Sequence, residues 1–326
     1  MEMPNIHRGG RTYDAKKEVM EDVALILPAF NERQTIAHTI KEFREHLPGA
    51  FLVVVDNNSN DGTGDLARQT LIEIGARGVV LFERRQGKGF ALRRALKTVD
   101  ATSYVMCDAD QTYPASEAPN LLQILADNDA DMVVGDRHSS GAYKAHNKRR
   151  LHNSGNHFVT LLVNSLFRAD LVDIMSGYRA FNRKFARNYP ILVSGFELET
   201  DMTLHALDKR MTIIETPIEY KDRPIGSVSK LNTFSDGAKV LFTIFQLVRY
   251  YKPLLFFTSA FVLLSLAGLV AGSAPILDYI RTGEVERFPL AILATGLEIT
   301  AVLSLTVGLV LDSIARSNRM LYERDL

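Results

Sequence analysis

The sequence predicts an α/β protein with a doubly wound, mostly parallel sheet, followed by a membrane anchor, and three observations carry that prediction. From residue 22 onward, short apolar runs alternate with amphipathic segments of helical length. Each run ends in a polar turn, which is where an open parallel sheet places its ligands. Beyond Tyr251 the mixed, polar pattern gives way to two long apolar stretches.

The elements follow in order. Val23 to Leu27 is an apolar run closed by Pro28-Ala29-Phe30-Asn31-Glu32, and Ile36, Ile40, Phe43 and Leu47 then keep helical spacing. Phe51 to Val55 is a second strand, Asp56 to Thr63 a polar turn, and Gly64 to Gly75 a helix. Gly78 to Phe82 leads through Gly87-Lys88-Gly89 into a basic helix ending at Thr98. A fourth run from Tyr104 delivers Asp108 and Asp110 to its end. Side chains alternate along a strand, so both carboxylates lie on one side, able to point into one site, while Ala109 faces the other. Two such acids suit Mg²⁺ or Mn²⁺, which keep waters and take their remaining ligands from substrate phosphates.

A helix from Glu117 to Ala126 and a strand at Met132 to Val134 precede Gly135-Asp136-Arg137. Lys144, Lys148, Arg149 and Arg150 then concentrate positive charge suited to phosphate before a helix ending at Phe167. Ser176-Gly177-Tyr178-Arg179 and the acid-rich Gly195 to Asp201 are further landmarks; the acids open a helix, whose dipole they suit. Ile213 to Tyr220 reads as the last strand. The loop after it carries Arg223, Ser229 and Lys230, two of them cations able to reach phosphate oxygens.

Four parts are expected: a polar extension over 1–21, an α/β unit over 22–233, a juxtamembrane amphipathic helix over 234–252, and a two-span region over 253–326. The spans fall at about 253–274 and 288–311. Arg249 and Lys252 before the first span, and Arg316, Arg319 and Arg324 after the second, outnumber Arg281 and Arg287 between them. Positive-inside logic therefore leaves both termini and the α/β unit cytoplasmic. Glu298 inside the second span should face a partner helix or an oligomer interface, and a homo-oligomer formed through the spans is expected. The 38 basic and 38 acidic residues cancel, so no global field draws the chain to nucleic acid. The single cysteine, Cys107, excludes an internal disulfide and a cysteine-based zinc cage, and reads as core filler.

Taken together, Leu27 to Glu32, Asp56 to Thr63, Gly87-Lys88-Gly89, Asp108-Ala109-Asp110, Gly135-Asp136-Arg137, Ser176 to Arg179, Gly195 to Glu199, and Asp222-Arg223 through Ser229-Lys230-Leu231 resemble glycosyltransferase family 2. The likeness is to its GT-A-fold polyprenyl-phosphate members, typified by dolichyl-phosphate mannose synthase. It implies that Pro28, Phe30, Glu32, Asp56 and Asn57 hold the nucleotide of a nucleotide sugar, with Lys88 and the stretch Asp108, Ala109, Asp110 and Gln111 completing the donor site. Asn57 stands where the family usually has a second aspartate, and Gln111, a further candidate metal ligand, stands one place earlier than the family's glutamine. Arg137, Arg149, Arg150, Arg223, Ser229 and Lys230 would hold the acceptor phosphate. The implied reaction is inverting, metal-dependent transfer of one sugar from UDP-glucose, UDP-N-acetylglucosamine or GDP-mannose to undecaprenyl or dolichyl phosphate, with Asp108, Asp110, Arg137, Arg223 and Lys230 as its working residues.

Two rival readings use the same residues. Asp108 to Thr112 also fits Asp-x-Asp-x-Thr, the nucleophile strand of haloacid-dehalogenase-like phosphatases, although that strand usually opens its domain. A non-catalytic membrane scaffold is the other. A processive polysaccharide synthase would need a tryptophan motif, and the chain has no Trp.

Overall fold

The computed structural model describes residues 22–139, 150–191, 193, 195, 197–221, 245–246 and 248–324. The chain divides into two compact units, Met1–Leu231 and Asn232–Leu326. The first unit is built on a seven-stranded sheet. In chain order its elements are β1 (Val23–Ala29), α1 (Ile36–His46), β2 (Phe51–Asp56), α2 (Thr63–Glu73), β3 (Gly78–Phe82), α3 (Lys88–Thr98) and β4 (Ser103–Met106). Then come α4 (Ala118–Asp127), β5 (Met132–Asp136), α5 (Arg150–Phe167), β6 (Arg179–Asn182), α6 (Arg183–Asn188), α7 (Leu198–Asp208) and β7 (Ile213–Pro217).

The strand order is β3-β2-β1-β4-β6-β5-β7. β1 pairs in parallel with both β2 and β4, with Leu25 beside Leu52 on one side and Val105 on the other. The chain thus travels outward from β1 to β3, then returns to the far side of β1 to lay down β4. Right-handed crossovers require the returning helix to use the opposite face from α1 and α2. Accordingly, Val23, Leu25, Leu27, Leu52, Val54 and Val105 share one core with Ile40 and Phe43 of α1, Leu71 of α2 and Leu121 of α4. Ala24, Ile26, Val53 and Val55, the alternate residues, are buried on the other face, as are Ala91, Leu92 and Ala95 of α3. Cys107 is fully buried in the first core, as expected of a small apolar filler.

The sheet is mostly parallel, as expected, and β6 is its one antiparallel strand, lying between β4 and β5. The orientation of this strand brings the loop before it, Ser176-Gly177-Tyr178, to the carboxyl end of β4. One expectation needs correction: the fourth strand stops at Met106, where its pairing with Ile26 and Arg179 ends. Asp108 and Asp110 therefore lie on a turn, with Gln111 in the left-handed region at φ 63°, and strand alternation does not set their directions.

In the second unit, helical residues at 245–246 and 248–251 fall within the expected juxtamembrane helix. They precede α8 (Pro253–Thr282) and α9 (Phe288–Arg324), both long and apolar enough to cross a membrane. The helices extend beyond the expected spans, and Pro275 does not end α8. At 1.5 Å per residue they measure about 45 and 55 Å, more than the roughly 30 Å of bilayer hydrocarbon. Leu263, Val270, Val302 and Val310 are exposed, as side chains facing lipid would be. Small residues let the helices approach: a Cβ on Gly308 would lie 2.7 Å from Phe257 Cβ. Glu298 turns to α8, where its carboxylate accepts a 2.9 Å bond from Ser265 Oγ and lies over Gly268. Its partner helix is thus within the same chain.

One buried group gives a pH test of the first unit. His205 on α7 packs against Phe185 and Tyr189, and its buried Nε2 atom has no hydrogen-bond partner among the described residues. Burial, helped by Lys209, pushes its pKa from 6.5 down to about 4. The unfolded chain therefore binds a proton that the folded chain refuses, and stability is lost as pH falls from 6.5 toward 4. The loss should reach about 2 kcal/mol by pH 5. Unfolding curves at pH 7.5 and 5 should report it, and His205→Phe should flatten the difference.

Candidate active site

The reversal of strand order between β1 and β4 opens a crevice at their carboxyl ends. One wall is formed by the loops after β1 and β2, which side chains join. Asn31 donates its backbone N–H to Ser59 Oγ (3.0 Å) and accepts from Asn60 N through Oδ1 (2.9 Å). Glu32 N donates to Thr63 Oγ1 (2.9 Å), and Asp61 accepts from both Arg33 N (3.1 Å) and Thr63 N (2.9 Å). The polar turn residues thus satisfy one another's backbone groups. Asp56 ends β2, accepts from Ser59 N (3.0 Å), and lies so close to Gly64 that a Cβ there would collide with its carboxylate. Pro28, Phe30 and Glu32 sit half-buried along the same wall.

Asn57 has a different surrounding from the one its neighbours suggest. Its amide donates to the backbone carbonyls of Arg85 (2.7 Å) and Glu83 (3.3 Å) and accepts from Gly87 N (2.7 Å). It therefore staples the β3–α3 loop to the end of β2. Glu83 is held at a pKa of about 2 chiefly by Arg85, which bonds it with two guanidinium nitrogens.

The staple sets the start of α3, whose first residue is Lys88. Its ammonium lies 2.5 Å from Asp108 Oδ1 and also pairs with Glu199 Oε1, with its side chain only 13% exposed. Burial alone would lower this pKa; the carboxylates of Asp108 and Glu199 outweigh it and raise it above the usual lysine range. Gly177 makes room for the pair: a Cβ there would stand 2.6 Å from Asp108 Oδ2 and 3.0 Å from Lys88 Nζ. Four elements converge here: the start of α3, the end of β4, the loop before β6 and the start of α7.

Asp110 is buried and accepts from Thr112 through both its backbone N–H (3.1 Å) and Oγ1 (2.6 Å). The carbonyl of Ala109 accepts from Thr39 (3.4 Å), and Gln111 Nε2 donates to Thr35 O (3.4 Å). Arg137, at the end of β5, forms a two-pronged pair with Asp173 at 2.7 and 2.8 Å. Burial pushes the Asp173 carboxyl up, but the guanidinium outweighs it and holds the group below the usual carboxylate range. Arg150 begins α5. Arg149, Arg223, Ser229 and Lys230 lie outside the described residues.

Sequence reasoning missed Glu199 as a member of this cluster. Its signal was the acid-rich start of α7, where both Glu199 and Asp201 are buried and partnered, Asp201 by Tyr189 Oη at 2.7 Å. Arg179 is also fully buried, donating to the carbonyls of Ser176 and Ile174 and to Thr203 Oγ1.

The donor set suits a hard divalent cation. Asp108 already accepts an ammonium, Asp110 lies two residues away, and oxygen is the only ligand type these side chains offer. Among the described residues no cluster of three or more acidic, histidine or cysteine side chains could hold a metal. A cation here would draw its other ligands from water and substrate phosphates.

Asn57 should be required in this form. Asn57→Asp removes both donors to the loop carbonyls and should destabilise the fold by about 1–3 kcal/mol, read from denaturant unfolding at pH 7.5.

Comparisons with known proteins bear on the family and the fold. The chain is 32% identical to glycosyltransferase AglJ of Haloferax volcanii over 73% of its own length and 75% of the relative's. It is 29% identical to a dolichyl-phosphate hexose transferase of the same organism, over 68% and 91%. Among solved structures, glucosyl-3-phosphoglycerate synthase of Mycobacterium tuberculosis, in complex with Mn²⁺, UDP and phosphoglyceric acid, aligns with a TM-score of 0.55 at 21% identity. That alignment covers 74% of this chain and 84% of that one, and at this identity it shows the shared GT-A fold alone. The sequence profile of Glycosyl transferase family 2 matches residues 24–189. With that match, the phosphatase and scaffold readings fall away, and the chain belongs to glycosyltransferase family 2.

Proposed function

We propose that this glycosyltransferase moves a single sugar from a nucleotide sugar to a polyprenyl phosphate, inverting the anomeric carbon and leaving a polyprenyl-phosphate sugar. The observation that carries the reading is the coexistence, in one family 2 chain, of a carboxylate site at the strand reversal and two helices able to span a membrane. A lipid acceptor calls for such an anchor. The Haloferax volcanii relative described as a dolichyl-phosphate hexose transferase supports the same acceptor class. By the distribution of arginine and lysine around the spans, catalysis takes place on the cytosolic side with both termini cytoplasmic.

The acceptor phosphate is already an anionic nucleophile, so the site needs little from a general base. Pro28, Phe30, Glu32 and Asp56 form the wall against which the nucleotide binds, and the Asn57 staple fixes the loop that carries Lys88. Asp108 and Asp110, with Gln111 nearby, would hold Mg²⁺ or Mn²⁺. When bound, that ion neutralises the charge developing on the departing nucleoside diphosphate. The remaining task is alignment of the phosphate oxygen with the anomeric carbon. It falls to Arg137, Arg223, Ser229 and Lys230, with Arg149 and Arg150 as further cations. Arg137 would share its guanidinium between Asp173 and the phosphate.

Purified protein with Mg²⁺ or Mn²⁺ should convert undecaprenyl or dolichyl phosphate to a sugar phospholipid with one of UDP-glucose, UDP-N-acetylglucosamine or GDP-mannose. Product mass identifies both sugar and lipid. Asp108→Asn should abolish turnover while leaving the protein folded; full activity in that variant would remove the metal assignment. Absence of any lipid product across the panel would remove the acceptor.

A further inference from the structure

The Lys88 cluster holds more than the donor site requires. A lysine that served only a donor phosphate would need neither carboxylate; here the ammonium is placed on two, Asp108 and Glu199, contributed by residues 20 and 111 positions away. Glu199 is 6% exposed and comes from the first turn of α7, an element that supplies no other part of the proposed donor site. Gly177 is a residue whose side chain would occupy the space in which Lys88 and Asp108 meet. Asp108 Oδ1, the oxygen on the ammonium, belongs to the carboxylate assigned to the divalent ion. One carboxylate cannot serve both cations at full strength, because their charges repel at short range inside a protein.

We propose that Lys88 is an internal counter-ion for Asp108 that is released to Glu199 when the divalent cation arrives with the donor diphosphate, making Glu199 a positioning residue for the metal site. In the free enzyme the ammonium compensates the buried Glu199 carboxylate, which would otherwise be costly to keep unpaired, and the partly exposed Asp108 carboxylate. When the cation takes Asp108, Glu199 retains the lysine at the start of α3. There its ammonium can turn to the diphosphate oxygens that arrive with the metal. Binding of metal and donor is then coupled: the cation alone must displace Lys88, whereas the cation with a diphosphate offers the displaced ammonium a new anion. No covalent bond changes in this exchange.

The inference rests on the metal assignment made above, and one experiment separates the two. Mn²⁺ binding to the full-length protein in detergent is measured from the loss of the free-ion electron paramagnetic resonance signal, with and without UDP. The wild type should bind Mn²⁺ more tightly with UDP than without it, and Asp108→Asn should not bind it. Lys88→Met keeps the aliphatic stem and removes the competitor; it should bind Mn²⁺ alone about tenfold more tightly and lose most of the UDP enhancement. Glu199→Gln leaves the lysine only Asp108 and should bind Mn²⁺ alone about tenfold more weakly. In the double variant the Glu199→Gln effect should vanish, because Glu199 acts only through Lys88. Melting temperatures establish that each variant is folded. Unchanged or weaker Mn²⁺ binding by Lys88→Met overturns the proposal while leaving the metal site standing. A Glu199→Gln penalty that persists without the lysine overturns it as well, since Glu199 would then act on the metal directly. Failure of the wild type to bind Mn²⁺ under any condition removes the metal assignment and this inference together.

Discussion

Between β3 and β4 the chain reverses its direction of travel across the sheet, and every feature of the catalytic unit follows from where that reversal falls. A parallel sheet sends the carboxyl ends of its strands to one edge, so the turns after β1, β2, β3 and β4 share that edge. Reversal beside β1 separates the turn after β1 from the turn after β4 and leaves a crevice between them. The linked loops around Asn31 and Ser59 come from the outward half, and the Asp108 and Asp110 carboxylates come from the turn after the returning strand. The antiparallel β6 then adds what a parallel strand could not: its leading end delivers Gly177 to the same edge.

Inside that crevice the dominant energetic problem is charge. Glu199, Lys88, Arg137 and Asp173 lie in positions where water is scarce, Asp108 is partly exposed, and each is partnered by an opposite charge at short range. Buried charges left without such partners would cost several kcal/mol each. The pairs therefore keep the site stable, and on the proposed reading they would also set the electrostatic terms on which an anionic donor enters.

The units of strand, turn and helix up to β4 were legible in the sequence because their apolar periods are clean and their turns are rich in Asp, Asn and Gly. The family likeness added the edge on which the site lies. What escaped were contacts between distant segments. β6 has four residues, one of them the buried Arg179, so neither length nor alternation marked it as a strand. The apolar run of β4 continues through Cys107, so alternation extends on the sequence to Asp108 and Asp110, whereas the strand's pairing partners end at Met106. Asn57 looked like a turn residue, and its role depends on backbone atoms at Glu83, Arg85 and Gly87. Glu199 looked like a helix-dipole acid, and only the fold brings it to Lys88. Composition and spacing report local preference; these four depend on which strands become neighbours.

The bonds that tie Asn31, Glu32 and Arg33 to Ser59, Asp61 and Thr63 make two loops into a single rigid lip. Loops at ligand sites commonly lose conformational freedom when the ligand arrives, and affinity falls accordingly. Here that ordering has already taken place during folding. On the proposed reading a nucleotide would meet a surface whose shape is set beforehand, and discrimination among donors would depend on fit to a fixed mould rather than on how readily the loops can close.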